Sequence, residues 1–375
     1  MKPTQVLHNA GQSLWLDNIT RTMLDDGTLA GYISELSLSG LTSNPTIFQK
    51  AISGSDSYDQ QIHNFHGSNI SDQKVFFTLA IADLQRAADL FAGIHQLTDG
   101  LDGFVSLEVS PQLAYDTKAT IAQAKWLHTG VDRPNVFIKI PGTPEGLPAI
   151  TAAIHAGIPV NVTLLFSSQQ MLNAADAYYK GLELRVADGL SPSVQSVASL
   201  FISRWDAAVA EQVPDNLKNK LALAVGCQAY RDYRDLLYSE RVQRLMNAGA
   251  RPQRLLWAST GTKDPAASKA LYISGLAAPY TVNTMPEATL LHYAEHGPNK
   301  VTVIDPDGED YQAVLSEFEA AGIDLDQLAV KLQSDGAQSF VDSWTMLMEV
   351  VASKRSSLAT RPPESDNLAN GEPLG

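Results

Sequence analysis

The chain has 375 residues, 44% of them hydrophobic and 18% charged, which is ample for a large core and long for one ordinary domain. A formal charge of −14 argues against the sequence-independent hold on nucleic-acid backbones that clustered Lys and Arg provide, and it requires any anionic substrate to be met by locally concentrated positive charge. The longest apolar stretches, such as 158–166, are too short to span a bilayer. Met1-Lys2-Pro3-Thr4-Gln5 lacks a signal-peptide pattern, and the single cysteine, Cys227, precludes an intrachain disulfide. These features lead us to expect a cytoplasmic protein with no membrane or nucleic-acid partner.

In chain order, short β-like runs at 13–17, 36–42, 103–108, 136–140, 158–164, 195–201, 255–258 and 279–282 alternate with longer helical patterns. Eight parallel strands is the number that closes a (β/α)8 TIM barrel. A doubly wound open sheet is the rival, but it usually has fewer strands, and no G-x-G-x-x-G turn follows the first run. Between the strands we expect a helix over 71–94 and another over 117–130 capped by Asp116. Thr143-Pro144-Glu145 supplies a cap with proline at the first helical position. Ser167 opens a helix to about 188, closed by Gly189; a further helix over 227–248 ends at Gly249; and Thr284-Met285-Pro286-Glu287 starts the helix after the eighth strand. Beyond Gly297 the pattern is helical only, at 311–321, 325–332 and 337–357. We expect this extension to pack against the barrel within one domain, 1–357, followed by a disordered tail over 358–375.

Some residues carry chemistry in this pattern. In Val136-Phe137-Ile138-Lys139-Ile140-Pro141-Gly142 a lysine interrupts an apolar run at the end of the fourth strand. Burial favours the neutral amine, the nucleophile that forms Schiff bases with carbonyls; the alternative is an edge-strand lysine whose head reaches water. Asp17 ends the first strand and Glu108 the third, on the face where barrels build active sites; together they can divide acid and base duties around that amine, while taken singly each also reads as a loop-start or helix-cap residue. Leu41-Thr42-Ser43-Asn44-Pro45-Thr46 and Val160-Asn161-Val162-Thr163 place amides and hydroxyls at strand ends, where they serve either sugar hydroxyls or a turn and a structural bond. The loop Ala258-Ser259-Thr260-Gly261-Thr262-Lys263 follows the seventh strand, a frequent phosphate-binding position, and Arg204 offers a second charge. His63 and His66 lack a third ligand nearby, Cys227 reads as a packed thiol, and Asp305-Pro306-Asp307-Gly308 reads as a turn without calcium-loop spacing, so we expect no metal site.

Taken in order, from Trp15-Leu16-Asp17 to Thr281-Val282-Asn283-Thr284-Met285-Pro286, these segments resemble the transaldolase family in its longer bacterial form. Leu41-Thr42-Ser43-Asn44-Pro45-Thr46-Ile47-Phe48 and Asn161-Val162-Thr163-Leu164-Leu165-Phe166-Ser167 are the most specific motifs. The resemblance implies a class I aldolase type of (β/α)8 barrel with extra helices and no cofactor. In it Lys139 is the Schiff-base lysine, Asp17 the general acid/base, and Glu108 the carboxylate acting through a water near Thr163. It further implies that Asn44 and Asn161 hold a dihydroxyacetone unit, with Thr42, Ser199 and Phe201 also against substrate, and that Ser259 and Arg204 contact phosphate. Where shorter members carry an arginine soon after that serine, this chain has Lys263, which is taken as its counterpart. The implied reaction moves dihydroxyacetone from sedoheptulose 7-phosphate to glyceraldehyde 3-phosphate, giving erythrose 4-phosphate and fructose 6-phosphate, in a monomer or homodimer. Rival readings are a free fructose-6-phosphate aldolase, whose members tend to carry tyrosine at the position of Phe201, and a catalytically silent barrel.

Overall fold

The computed structural model describes residues 1–305, 308 and 310–359. Among them are the eight parallel strands of a closed barrel in sequence order: β1 Ser13–Asp17, β2 Leu38–Thr42, β3 Val105–Glu108, β4 Val136–Pro141, β5 Val160–Leu165, β6 Ser196–Phe201, β7 Arg254–Ala258 and β8 Thr281–Met285. Pairing of β8 with β1 closes the ring and excludes the open sheet. All the expected runs are strands, with ends shifted by up to three residues. β2 to β8 are buried along their whole length, which is why β4 and β5 read as largely apolar runs and why the polar residues of β2, β3 and β8 face the interior. Trp15 fills space against β2, and only glycine fits opposite: a Cβ at Gly40 would lie 2.6 Å from the indole.

Capping decides where the helices begin. Ser71, Asp116 and Ser167 accept backbone N–H bonds at the starts of Asp72–Leu97, Thr117–Val131 and Ser168–Ala187, and Ser167 with Gln170 forms a reciprocal capping box. Other expectations need correction. The helix after Thr143-Pro144 starts at Gly146, because Thr143 Oγ1 accepts from Gly146 N and leaves Pro144 in a turn. The helix expected over 227–248 is two, Leu221–Leu237 and Glu240–Asn247, because Ser239 caps the second. β8 extends to Met285, so the next helix begins at Glu287. The pair expected at 325–332 and 337–357 is one continuous helix, Leu325–Ala359. It runs two residues into the expected tail, whose remainder, 360–375, lies outside the described residues, as do positions 306 and 307 of the expected turn.

That C-terminal helix lies against Pro45–Ser53 and reaches over the C-terminal ends of the strands. Gln333 Nε2 donates to the carbonyls of Gly142 (3.1 Å) and Leu164 (2.9 Å), and Thr46 Oγ1 donates to Ser343 Oγ at 2.8 Å. Lys354 and Arg355 pair with Asp59 and Asp72 farther along. Among the described residues, no helix is long and apolar enough to cross a membrane.

Candidate active site

The strand ladders set the chemistry side by side. Glu108 on β3 is the register partner of Lys139 on β4, which is in turn the partner of Asn161 on β5; Asp17 on β1 partners Thr42 on β2. Lys139 is 5% exposed, and its Nζ donates to Glu108 Oε2 and to the Ser43 carbonyl, both at 3.2 Å. β4 is paired on both sides, so the edge-strand alternative for this lysine does not apply. Burial pushes the Glu108 carboxyl above its ordinary range; Lys139 pulls it back, and the charge of Asp17 adds to the rise. Asp17 is likewise raised by burial, against the opposing pull of Lys139, the Thr42 hydroxyl, Lys263 and Asn44. Thr42 Oγ1 donates to Asp17 Oδ1 at 2.9 Å and stands 2.7 Å from the Thr284 hydroxyl, so β8, β2 and β1 together orient the carboxylate.

Two buried oxygens in this group, Glu108 Oε1 and Thr163 Oγ1, have no hydrogen-bond partner among the described residues. Buried polar atoms ordinarily find partners, so both are available to a water or a substrate hydroxyl. The amides differ in this respect. Asn44 caps Pro45–Ser53, its Oδ1 accepting from Ile47 N at 3.1 Å, with Pro45 in the first helical turn. Asn161 is fully buried with both amide ends engaged: Nδ2 donates to Ser106 Oγ (3.1 Å) and Oδ1 accepts from Ser199 Oγ (2.7 Å).

A cleft of about 320 Å³ opens over Lys139 and Asp17. All the expected residues line it except Glu108 and Asn161, which lie behind its wall; Glu108 instead faces a small adjoining hollow bounded by Phe76 and Trp344. Positive charge beyond Lys139 comes from Arg204, at the start of the helix Ser203–Val209, and from Lys263 and Lys50. The guanidinium carbon of Arg204 is 5.5 Å from the Phe201 ring centre, and its partial burial weakens its hold on the proton while Asp335 opposes that effect. Ser259 follows β7 with φ +55°, and its hydroxyl is 2.9 Å from that of Ser203. Buried Thr260 locks the loop by donating to the Thr284 carbonyl at 2.9 Å. A neighbouring hollow of about 350 Å³ shares Lys263, but its buried carboxylate, Asp206, is occupied by the Tyr272 hydroxyl (2.8 Å) and Ala222 N (3.1 Å).

Sequence reasoning missed several residues of this cleft. Lys50 lines it one turn beyond Thr46, so a cation four residues after a polar residue, on a helix capped at a strand end, was the available signal. Thr284 lay within a quoted motif. For Ser339 and Phe340, brought in by the C-terminal helix, no local signal exists, nor does one for Ser106, which lies behind the cleft wall and accepts from the amide of Asn161.

Comparison with known proteins adds independent information. The chain matches the family described as transaldolase/fructose-6-phosphate aldolase over residues 14–351. It is 42% identical to a transaldolase of Parafrankia sp. over 96% of this chain and 100% of that one. It is 43% identical to a transaldolase of Thermobifida fusca over 93% and 97% of the two chains, and 41% identical to a transaldolase of Neisseria gonorrhoeae over 90% and 96%.

Proposed function

The chain belongs to the transaldolase/fructose-6-phosphate aldolase family and is a transaldolase, and from that premise we propose that it works through a Schiff base on Lys139. The observation that carries this reading is the β3–β4 register, which sets the Lys139 amine 3.2 Å from a buried carboxylate and under a cleft that also holds Asp17. Lys139 attacks the ketose C2 carbonyl. Glu108, with a water bound through its Oε1 and Thr163 Oγ1, assists loss of hydroxide from the carbinolamine. Asp17 removes the C4 hydroxyl proton, the C3–C4 bond breaks, and an aldose phosphate leaves. The iminium is the electron sink, so the step calls on no metal or organic cofactor. The retained enamine then attacks the acceptor aldehyde with Asp17 as acid.

In this reading the donor is sedoheptulose 7-phosphate and the acceptor glyceraldehyde 3-phosphate. Their phosphates sit by turns against Arg204, Ser259 and Lys263, which offset the acidic net charge locally. We place the enzyme in the cytoplasm on its single cysteine, Cys227, and take residues 1–357 as one domain. Borohydride reduction with fructose 6-phosphate, followed by peptide mass mapping, tests the nucleophile: a three-carbon adduct belongs on the Lys139 peptide. Labelling at another lysine, or none, sinks the mechanism.

A further inference from the structure

The C-terminal helix contributes a part of the site to which the mechanism above gives no role. Gln333, Gly336 and Phe340 follow at intervals of three and four residues and so share one face of Leu325–Ala359. Gln333 fastens that face to the Gly142 and Leu164 carbonyls. Leu164, immediately after Thr163, has φ +60° where the β5–β6 ladder slips, so the Gln333 bond holds the irregular stretch of β5 that presents Thr163. Gly336 permits the close approach: a Cβ there would come within 3.1 Å of Leu164 and 3.3 Å of the Arg204 guanidinium. One turn later the Phe340 ring centre lies 5.6 Å from Lys139 Nζ and 6.4 Å from the Phe201 ring, which in turn is 5.3 Å from Phe166. Phe340 lines the cleft yet is only 6% exposed.

We propose that Phe340, held in place by Gln333 and Gly336, is a positioning residue that keeps water from the three-carbon intermediate on Lys139 and thereby sets the ratio of transfer to hydrolysis. The proposal rests on the Schiff-base reading. After donor cleavage the enamine has two fates. It attacks the acceptor aldehyde, or it is protonated at its nucleophilic carbon, water adds at C2, and the C–N bond breaks with proton return to nitrogen. The second route consumes one water and releases free dihydroxyacetone and the Lys139 amine. An aromatic ring over the amine hinders water while leaving the phosphate end of the cleft, at Arg204 and Ser259, open to the acceptor.

The test uses the full chain with sedoheptulose 7-phosphate as donor and glyceraldehyde 3-phosphate as acceptor, measuring free dihydroxyacetone against the fructose 6-phosphate formed by transfer. In Phe340→Ala the ratio of free to transferred should rise about tenfold, equivalent to ~1.4 kcal/mol between the competing barriers. Phe340→Leu should fall between, and Gln333→Ala should move the ratio the same way. The ratio does not depend on the fraction of molecules that fold, and the milder variants carry the decision if Phe340→Ala is insoluble. Unchanged ratios, with borohydride trapping on Lys139 intact, overturn the shield. Absence of trapping in the unmodified enzyme overturns the Schiff-base reading instead.

Discussion

Replacing Lys139 with Met separates two roles of one amine, nucleophile and counter-charge. The Glu108 side chain is 4% exposed and lies 3.2 Å from that amine; in the variant it loses the cation beside it and takes up a proton. Protonation sets a ceiling on the cost. Neutralising a carboxyl of ordinary pKa ~4.3 requires ~1.4 kcal/mol per pH unit, hence ~3.7 kcal/mol at pH 7 and ~1 kcal/mol at pH 5. That agrees with the ~3–5 kcal/mol typical of breaking a buried pair from one side. For 375 residues the unfolding entropy is roughly 0.8 kcal/mol/K, so the ceiling corresponds to a Tm loss of about 5 °C at pH 7 and about 1 °C at pH 5. The sign follows from the direction of the shift. The folded-state pKa of Glu108 already lies above its ordinary value and rises further without Lys139. Its contribution to stability is therefore full below the unfolded pKa and fades as pH rises through the folded one. Calorimetry of the variant at both pH values measures this, and adding Glu108→Gln should restore most of the loss at pH 7. A loss equal at pH 5 and pH 7, or not relieved by Glu108→Gln, refutes the reasoning and makes Lys139 a packing residue.

Five further outcomes are expected. Asp17→Asn should accumulate the trapped donor adduct with cleavage slowed ~10²–10⁴-fold, whereas Glu108→Ala should slow adduct formation itself; normal rates of both steps would remove these assignments. Because burial raises the Asp17 pKa and the carboxylate form takes the proton, cleavage should fall on the acid side at a pH above the ordinary carboxylate range, and a kcat/KM profile flat down to about pH 4 would contradict this. Arg204→Ala removes a charge-assisted bond worth ~1.5–3 kcal/mol and should weaken donor and acceptor phosphates alike by roughly 10–150-fold, with trapping of unphosphorylated dihydroxyacetone on Lys139 little changed. Exposed Lys263, changed to Ala, should give a smaller loss.

Strands such as β4 and β5 were legible because burial on both faces leaves apolar runs, and the candidate site was legible where a charged residue interrupts or ends a strand-like run. Lys139, Asp17 and Glu108 all stand out in this way. Asn44 was visible as the residue before a proline, though whether it made a turn or a helix cap depended on Ile47 N reaching its side chain. What no single segment reveals is register. Glu108 faces Lys139 only because β3 and β4 pair as they do, and Asn161 has no free amide end only because Ser106 and Ser199 flank it from neighbouring strands. The break at Ser239 was hidden because a serine within a helix and a serine capping one look alike until packing chooses. Conversely, nothing local required Leu325–Ala359 to continue through Gly336, where close contact with Leu164 outweighs the glycine's poor helix propensity.

The position of Phe340 in the chain also fixes when the site is complete. Ribosomes release the amino-terminal end first, so Lys139 emerges about 200 residues ahead of the ring that covers it. The barrel closes only when β8, ending at Met285, pairs with β1. At ~5–20 residues/s, the stretch from there to Phe340 takes roughly 3–11 s to synthesise. Throughout that interval the growing chain carries every strand of the barrel but not yet the Phe340 ring. The proposed shield thus belongs to the part of the chain that is made after the barrel it covers.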